Sequence, residues 1–345
     1  MYLRLCIFHI LFLNFSSLGK TQTLGGRAGY NFLNSSTSPQ LTALGGMNLS
    51  AFTKDGSVAV YNPALMRPFM NSQLSAAFGF MQAGTKSFQL SQILYHSTSF
   101  TSFSGMIQYF NYGSIPSTDA SGNITGSIKP AEYAIQIGAS RKYMERWHYG
   151  IHLKFIGSSL GQYRSGALAA DIGVCYADSA NGVQAGVLVK NMGFQVKKYL
   201  ENVTEELPFD LQMGVTYKFA EAPLQISLTG HHLHQFDIRY NDTVYNNAND
   251  IIAGNTKAFS LDNIFRHFVV SAQLLLENKI EITAAYNHLR RRELNIYDAS
   301  NGLNGFSMGA GLILEDFQLR YSRAYFQSNS PINQLGIHLL LSRYF

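Results

Sequence analysis

The chain has 345 residues, a formal net charge of +5 and only 14% charged residues, beside 24 Phe, 20 Tyr and 30 Gly. So few charges, none spread over one face, exclude a nucleic-acid-binding surface. No stretch after the amino terminus reaches the roughly 20 apolar residues of a membrane helix. A mean hydropathy of −0.03 with many aromatics instead suits a wall whose lipid-facing and lumen-facing residues alternate and average out.

Residues 1–19 read as a secretory signal peptide. Arg4 supplies the positive start, Leu5 to Phe15 the apolar centre, and Ser17 and Gly19 the small residues before cleavage. Removal leaves Cys175 as the single cysteine, so the exported chain has no internal disulfide. No nucleophile motif surrounds Cys175, which reads as a small buried strand residue.

Residues 20–72 contain no alternating strand. Gly45-Gly46 permits a bend at positive φ, Asp55 follows, and Asn62-Pro63 forces a turn. The apolar content, with Phe32, Leu33, Leu41, Leu44, Phe52, Val58, Val60 and Leu65, argues against a solvated tail. We read 20–72 as a plug or hatch against a barrel formed by 73–345, with Gly45, Gly46, Asp55, Asn62 and Pro63 as its key residues.

From residue 73 onward the pattern changes to period two. Strands are expected near 73–82, 86–96, 98–112, 131–144, 147–160, 165–177, 182–191, 209–219, 224–234, 265–277, 280–290, 305–314, 317–326 and 334–345. In one of them, Trp147, Tyr149, Ile151, Leu153 and Phe155 share a face, while His148, Gly150, His152 and Lys154 share the other. About fourteen antiparallel strands of this length fit a transmembrane β-barrel, an all-β fold. A soluble sandwich shows the same alternation with the burial reversed, and loop lengths choose between the two. Alternate connections, near 97, 145–146, 178–181, 220–223, 278–279 and 315–316, are all short. The opposite set includes the long stretches 113–130, 192–208, 235–264, 291–304 and 327–333. Short periplasmic turns facing long outer loops are the rule for outer-membrane barrels. The chain ends on Phe345 after alternating Ile337, Leu339 and Leu341, like the terminal aromatic strand that outer-membrane proteins show to their assembly machinery.

No catalytic constellation, resident metal set or cofactor motif stands out. His231, His232 and His234 are the densest group of metal-capable side chains; on a strand His232 and His234 share a face, but local spacing supplies no third ligand. A polar strand end at the rim is the plainer reading. The longest outer loop, 235–264, carries Tyr240 and Tyr245, and Arg290, Arg291 and Arg292 begin the next. Aromatic and Arg side chains anchor interfaces, so these five are the candidate partner-binding residues. The Arg cluster also suits anionic lipopolysaccharide.

A Gly-Gly bend, an acidic residue about ten positions on and Asn62-Pro63-Ala64 resemble the amino-terminal signature of FadL-like outer-membrane proteins. Tyr30-Asn31-Phe32-Leu33-Asn34, then Ser38 and Ala43-Leu44-Gly45-Gly46, resemble the PorQ branch, part of type IX secretion in Bacteroidetes. That resemblance implies a FadL-like barrel with a lumenal hatch in the outer membrane. It also implies an attachment complex in which a PorZ-like surface protein docks, beside a PorU-like sortase and PorV, to anchor cargo on lipopolysaccharide. The FadL fold equally implies a transporter of hydrophobic molecules. Neither reading makes the chain an enzyme.

Overall fold

The computed structural model describes residues 28–238, 260–293, 302–327 and 330–341. The expected signal peptide, Tyr240 and Tyr245 lie outside these residues.

The strands are β1 (Gln73–Phe80), β2 (Lys86–His96), β3 (Thr101–Asn111), β4 (Ile115–Thr118), β5 (Ile124–Ile128), β6 (Ala131–Tyr143), β7 (Trp147–Leu160) and β8 (Tyr163–Asp178). They continue as β9 (Val183–Lys197), β10 (Asp210–Lys218), β11 (Leu224–Gly230), β12 (Phe268–Leu276), β13 (Ile280–Asn287), β14 (Phe306–Ile313), β15 (Phe317–Gln327) and β16 (Ser330–Leu340). All but β4 and β5 form one closed barrel of fourteen antiparallel strands, in which β1 pairs with β16 from Gln73↔Leu340 to Phe80↔Asn333. Closure leaves no unpaired edge, the condition for crossing a bilayer with strands.

Burial decides between barrel and sandwich. Trp147, Tyr149, Ile151, Leu153 and Phe155 are exposed, whereas His148, Gly150, His152 and Lys154 are buried. The same inversion runs through β8, where Leu168, Ile172 and Val174 are exposed and Asp171 is buried. Water would not tolerate so continuous an apolar belt, whereas lipid requires it.

The structure corrects several expected limits. β9 runs on to Lys197, past the expected end at 191. A bulge sets Lys190 and Asn191 together against Asp171, with Asn191 at φ 56°, and both side chains are buried. Two consecutive inward residues break the period-two pattern there, which hides the continuation. The loop 113–130 contains the hairpin β4–β5. A helix, Leu261–Arg266, precedes β12, and Ser260 Oγ caps it by accepting from Asn263 N at 3.1 Å. The expected loop 327–333 is mostly strand, because β15 reaches Gln327 and β16 resumes at Ser330.

Residues 28–72 form short helical turns joined by irregular chain. Helix α1 is Pro39–Ala43 and α2 is Gly56–Ala59. Beyond them, Leu261–Arg266 is α3 and His288–Glu293 is α4.

Candidate functional site

Residues 28–72 touch the inward faces of strands all round the ring. Contacts include Pro39 at Gly336 of β16, Ala43 at Gly309 of β14, Leu49 at Gly186 of β9 and Pro63 at Gly150 of β7. A segment reaches every side of a barrel only from within. Ala28 and Gly29 bridge to Glu206 in the β9–β10 loop, at the mouth edged by the long loops. At the other end, Gln73 Oε1 accepts from Gly56 N where β1 begins.

An irregular segment carries backbone groups that no ladder satisfies, and each costs free energy if buried unpaired. The polar inner wall supplies their partners. Gln136 Nε2 donates to Val60 O at 2.9 Å, and Gln225 Nε2 donates to Phe52 O at 3.0 Å. Gln334 Nε2 donates to Ser36 O at 3.1 Å, and Lys190 Nζ donates to Leu33 O at 3.2 Å. The Gln-rich lumen and the irregular segment thus complete each other.

The expected key residues of the segment sit at its tightest points. Gly45 and Gly46 follow α1 at φ 91° and 94°. A Cβ on Gly45 would stand 2.4 Å from Val269 Cγ1, so both the backbone and the space call for glycine. Asn62 Oδ1 accepts from Ala64 N at 3.1 Å, and its amide donates to Leu49 O at 3.0 Å. Pro63 opens the turn Pro63–Leu65, where its missing N–H does no harm. This turn fills a notch made by Gly150 and Gly173, paired across β7 and β8. A Cβ on Gly173 would lie 2.1 Å from Asn62 Oδ1, and one on Gly150 2.8 Å from Pro63.

Asp55 caps α2, its Oδ1 accepting from Ser57 N at 2.7 Å. Its carboxylate also meets the wall, 3.4 Å from Arg320 Nη1 and 3.3 Å from His338 Nδ1. Arg320 Nη2 reaches Glu281 Oε2 at 3.3 Å. All four side chains are buried, so the charges of Asp55, Arg320 and Glu281 are tolerated only as a set. A second set lies at the β9 bulge, where Lys154 Nζ is 2.6 Å from Asp171 Oδ2. Neither set was legible in the sequence, because their members are separated by tens to hundreds of positions.

Apolar clusters interrupt the polar lumen at several places. Phe110, Ala134, Ile156, Ala167 and Ala169 line an apolar recess on β3, β6, β7 and β8, and Phe32 and Leu33 fill it. The Phe32 and Phe110 rings are 5.6 Å apart. Between Leu33, Tyr61, Gln136 and Asp171 about 20 Å3 stays open, room for one water molecule and not for an organic ligand.

The arginines part company. Arg290 turns to the lumen, where its guanidinium donates to Gly45 O at 3.2 Å and lies 3.9 Å over the Phe326 ring. Arg291 donates to Gly302 O at 2.9 Å. Arg292 pairs with Asp262 at 2.6 Å, and Asp262 also binds Arg266 and His288, each at 3.0 Å. Asp262 therefore ties α3 to α4 at the outer face. Partial burial pushes its carboxyl up, but the hydrogen bonds from His288, Arg266 and Arg292 outweigh that and hold it below the usual range. A lowered pKa gives a tether at full strength above the unfolded value of about 4. It is lost as pH falls through the folded value. Asp262→Asn is expected to raise protease cleavage in the outer loops at neutral pH while the barrel stays intact on a detergent gel. Unchanged cleavage would mean that α3 and α4 hold together without this carboxylate.

At the outer ends of β10 and β11 the structure gathers Asp210, His231 and His232 with donor atoms within 4.8 Å of one another. Asp210 is a third metal-capable side chain that local spacing around the histidines lacks; it stands 21 positions upstream of His231 and arrives through strand pairing.

No family model and no curated protein matches the sequence. Solved structures do match. A mutant of TodX, a monoaromatic hydrocarbon channel, is 11% identical with a TM-score of 0.51, over 87% of this chain and 97% of that one. CymD, also a monoaromatic hydrocarbon channel, is 12% identical with a TM-score of 0.53, over 88% and 96%. The barrel shares the fold of these two channels. At these identities the likeness is one of fold.

Proposed function

We propose that the protein is an outer-membrane channel for small hydrophobic molecules, closed by residues 28–72 acting as a hatch. The observation that carries this reading is the apolar recess on the inner wall, filled by Phe32 and Leu33. Ligand sites are concave, mostly apolar and edged by a few polar groups. If those two side chains withdraw, the recess becomes such a site. The shared fold with hydrocarbon channels supports the reading, although fold alone does not set a substrate. The test is uptake of a monoaromatic hydrocarbon by a Gram-negative host lacking such channels. Cells carrying the protein should take it up faster than cells with an empty vector, and Phe32→Ala with Leu33→Ala should increase the rate further. Uptake equal to the empty vector would refute the channel.

A second reading, the PorQ-like one, is favoured by the outer mouth. The hairpin β4–β5, the α3–α4 pair tied by Asp262 and the Gly29–Glu206 contact make an ordered outer surface. Such a surface suits docking of a PorZ-like protein, with PorU- and PorV-like subunits and lipopolysaccharide nearby. Extraction from native outer membranes in mild detergent distinguishes the two. A stoichiometric surface protein bound to the barrel supports docking, and its absence rules docking out.

A further inference from the structure

We propose that Asp210, His231 and His232 form a binding site for a divalent transition-metal ion of the zinc type at the outer rim of the barrel. The three side chains converge from two chain segments. Asp210 opens β10, and His231 and His232 follow the end of β11. Each offers a donor atom, and these atoms lie within 4.8 Å of one another. Around tetrahedral zinc, with arms of about 2.0 Å, ligand atoms stand about 3.3 Å apart. The cluster thus needs side-chain adjustments of about an ångström, without a change of backbone.

The ligand set is under-satisfied without a cation. Nδ1 of His231 and Nδ1 of His232 are 2.6 Å apart, a distance that one shared proton must bridge. His231 Nε2 is buried and has no hydrogen-bond partner among the described residues. A buried polar atom left unpaired is costly, and a cation that takes up imidazole lone pairs removes the conflict between the rings.

The surroundings hold the ligands in place. Gln212 Nε2 donates to Asp210 Oδ2 at 2.6 Å, and the His232 N–H donates to Asp210 Oδ1 at 2.6 Å. Each carboxylate oxygen keeps a further lone pair for a metal. The His231 backbone is fixed on both sides, its N–H donating to His267 O at 2.9 Å and its carbonyl accepting from His267 Nδ1 at 2.8 Å. His232 takes a φ of 52°, uncommon for a residue with a side chain. Such strain is kept where the surrounding structure insists on it. His231 and Asp210 are buried, His232 is half-buried, and His234 beside them is exposed. The rings of His232 and His234 are 6.1 Å apart. The cluster therefore meets solvent on one side, where water or His234 completes four-coordination. Two imidazoles and a carboxylate suit zinc and its neighbours and not calcium or magnesium, which take oxygen ligands.

The test uses the full-length, untagged barrel in detergent, stripped with a chelator and dialysed against Zn2+. Wild type is expected to retain one zinc per chain by elemental analysis. The double variant Asp210→Asn/His232→Gln, confirmed as a closed barrel by its heat-dependent gel migration, should lose it. Loss of an outer-shell partner alone weakens metal sites by roughly 10–100-fold, and loss of two ligands should exceed that. Zinc X-ray absorption on the wild type needs no variant, and it should show two imidazoles, or three where His234 joins, and no sulfur. Failure of the folded wild type to retain zinc, full retention by the folded double variant, or a sulfur ligand would each overturn the proposal.

Discussion

Replacing Gly173 by leucine is expected to open the lumen of an otherwise intact barrel. The notch of Gly150 and Gly173 exists because two paired inward positions carry no side chain, and the Asn62–Pro63 turn occupies that space. A Cβ at Gly173 would sit 2.1 Å from Asn62 Oδ1, well inside contact distance, and leucine adds three carbons more. Overpacking of this kind costs about 1–3 kcal/mol. The strand has its ladder on both sides and cannot move, so the turn must. A penalty of that size shifts the balance between seated and displaced segment by about 5–150-fold. Single-channel recording in planar bilayers should show more frequent openings than wild type, while unheated samples still migrate as folded barrel. Conductance equal to wild type would show that the turn tolerates the intrusion, or that residues 28–72 do not close the lumen.

Arg320→Met is expected to be the most destabilising single change in the lumen. Arg320 stands between Asp55 and Glu281, and all three are buried. Removing the cation leaves two carboxylates facing each other with only His338 near Asp55. Breaking one side of a buried ionic set costs about 3–5 kcal/mol, because the remaining charges are stranded. The lost charge also loosens α2 against the wall, since Asp55 both caps the helix and binds the barrel. Urea titration followed by tryptophan fluorescence from Trp147 should show a clearly lower unfolding midpoint. The triple variant Arg320→Met/Asp55→Asn/Glu281→Gln should recover most of the loss, because Asn still caps a helix and no charge is left unpaired. If the triple variant is no more stable than Arg320→Met, packing of the Arg320 stem is what matters, and charge balance is not.

The barrel was legible in the sequence because its governing signals are local. Side chains change faces at every residue, so Trp147 to Phe155 announces one apolar and one polar face within nine positions. The alternation of short and long connections recurs in the closed ring, with β9 and the hairpin β4–β5 shifting its limits. Lys190 and Asn191 are the clearest case: two inward residues in a row ended the pattern on paper while the strand went on to Lys197. Some short-range features of residues 28–72 were legible too. Gly45-Gly46 and Asn62-Pro63 specify bends through backbone sterics alone. What those bends meet was decided by the tertiary structure. Gly150 and Gly173 look like ordinary strand glycines until Asn62 and Pro63 are seen between them. Arg290 reads as part of a surface cluster until its guanidinium is found on Gly45. Asp210 is one acidic residue among 21 Asp and Glu until pairing of β10 with β11 carries it to His231 and His232. The reason is physical: periodicity and turn preference act over a few bonds, whereas charge pairing, close packing and ligand convergence act through space, between residues that only closure of the ring brings together.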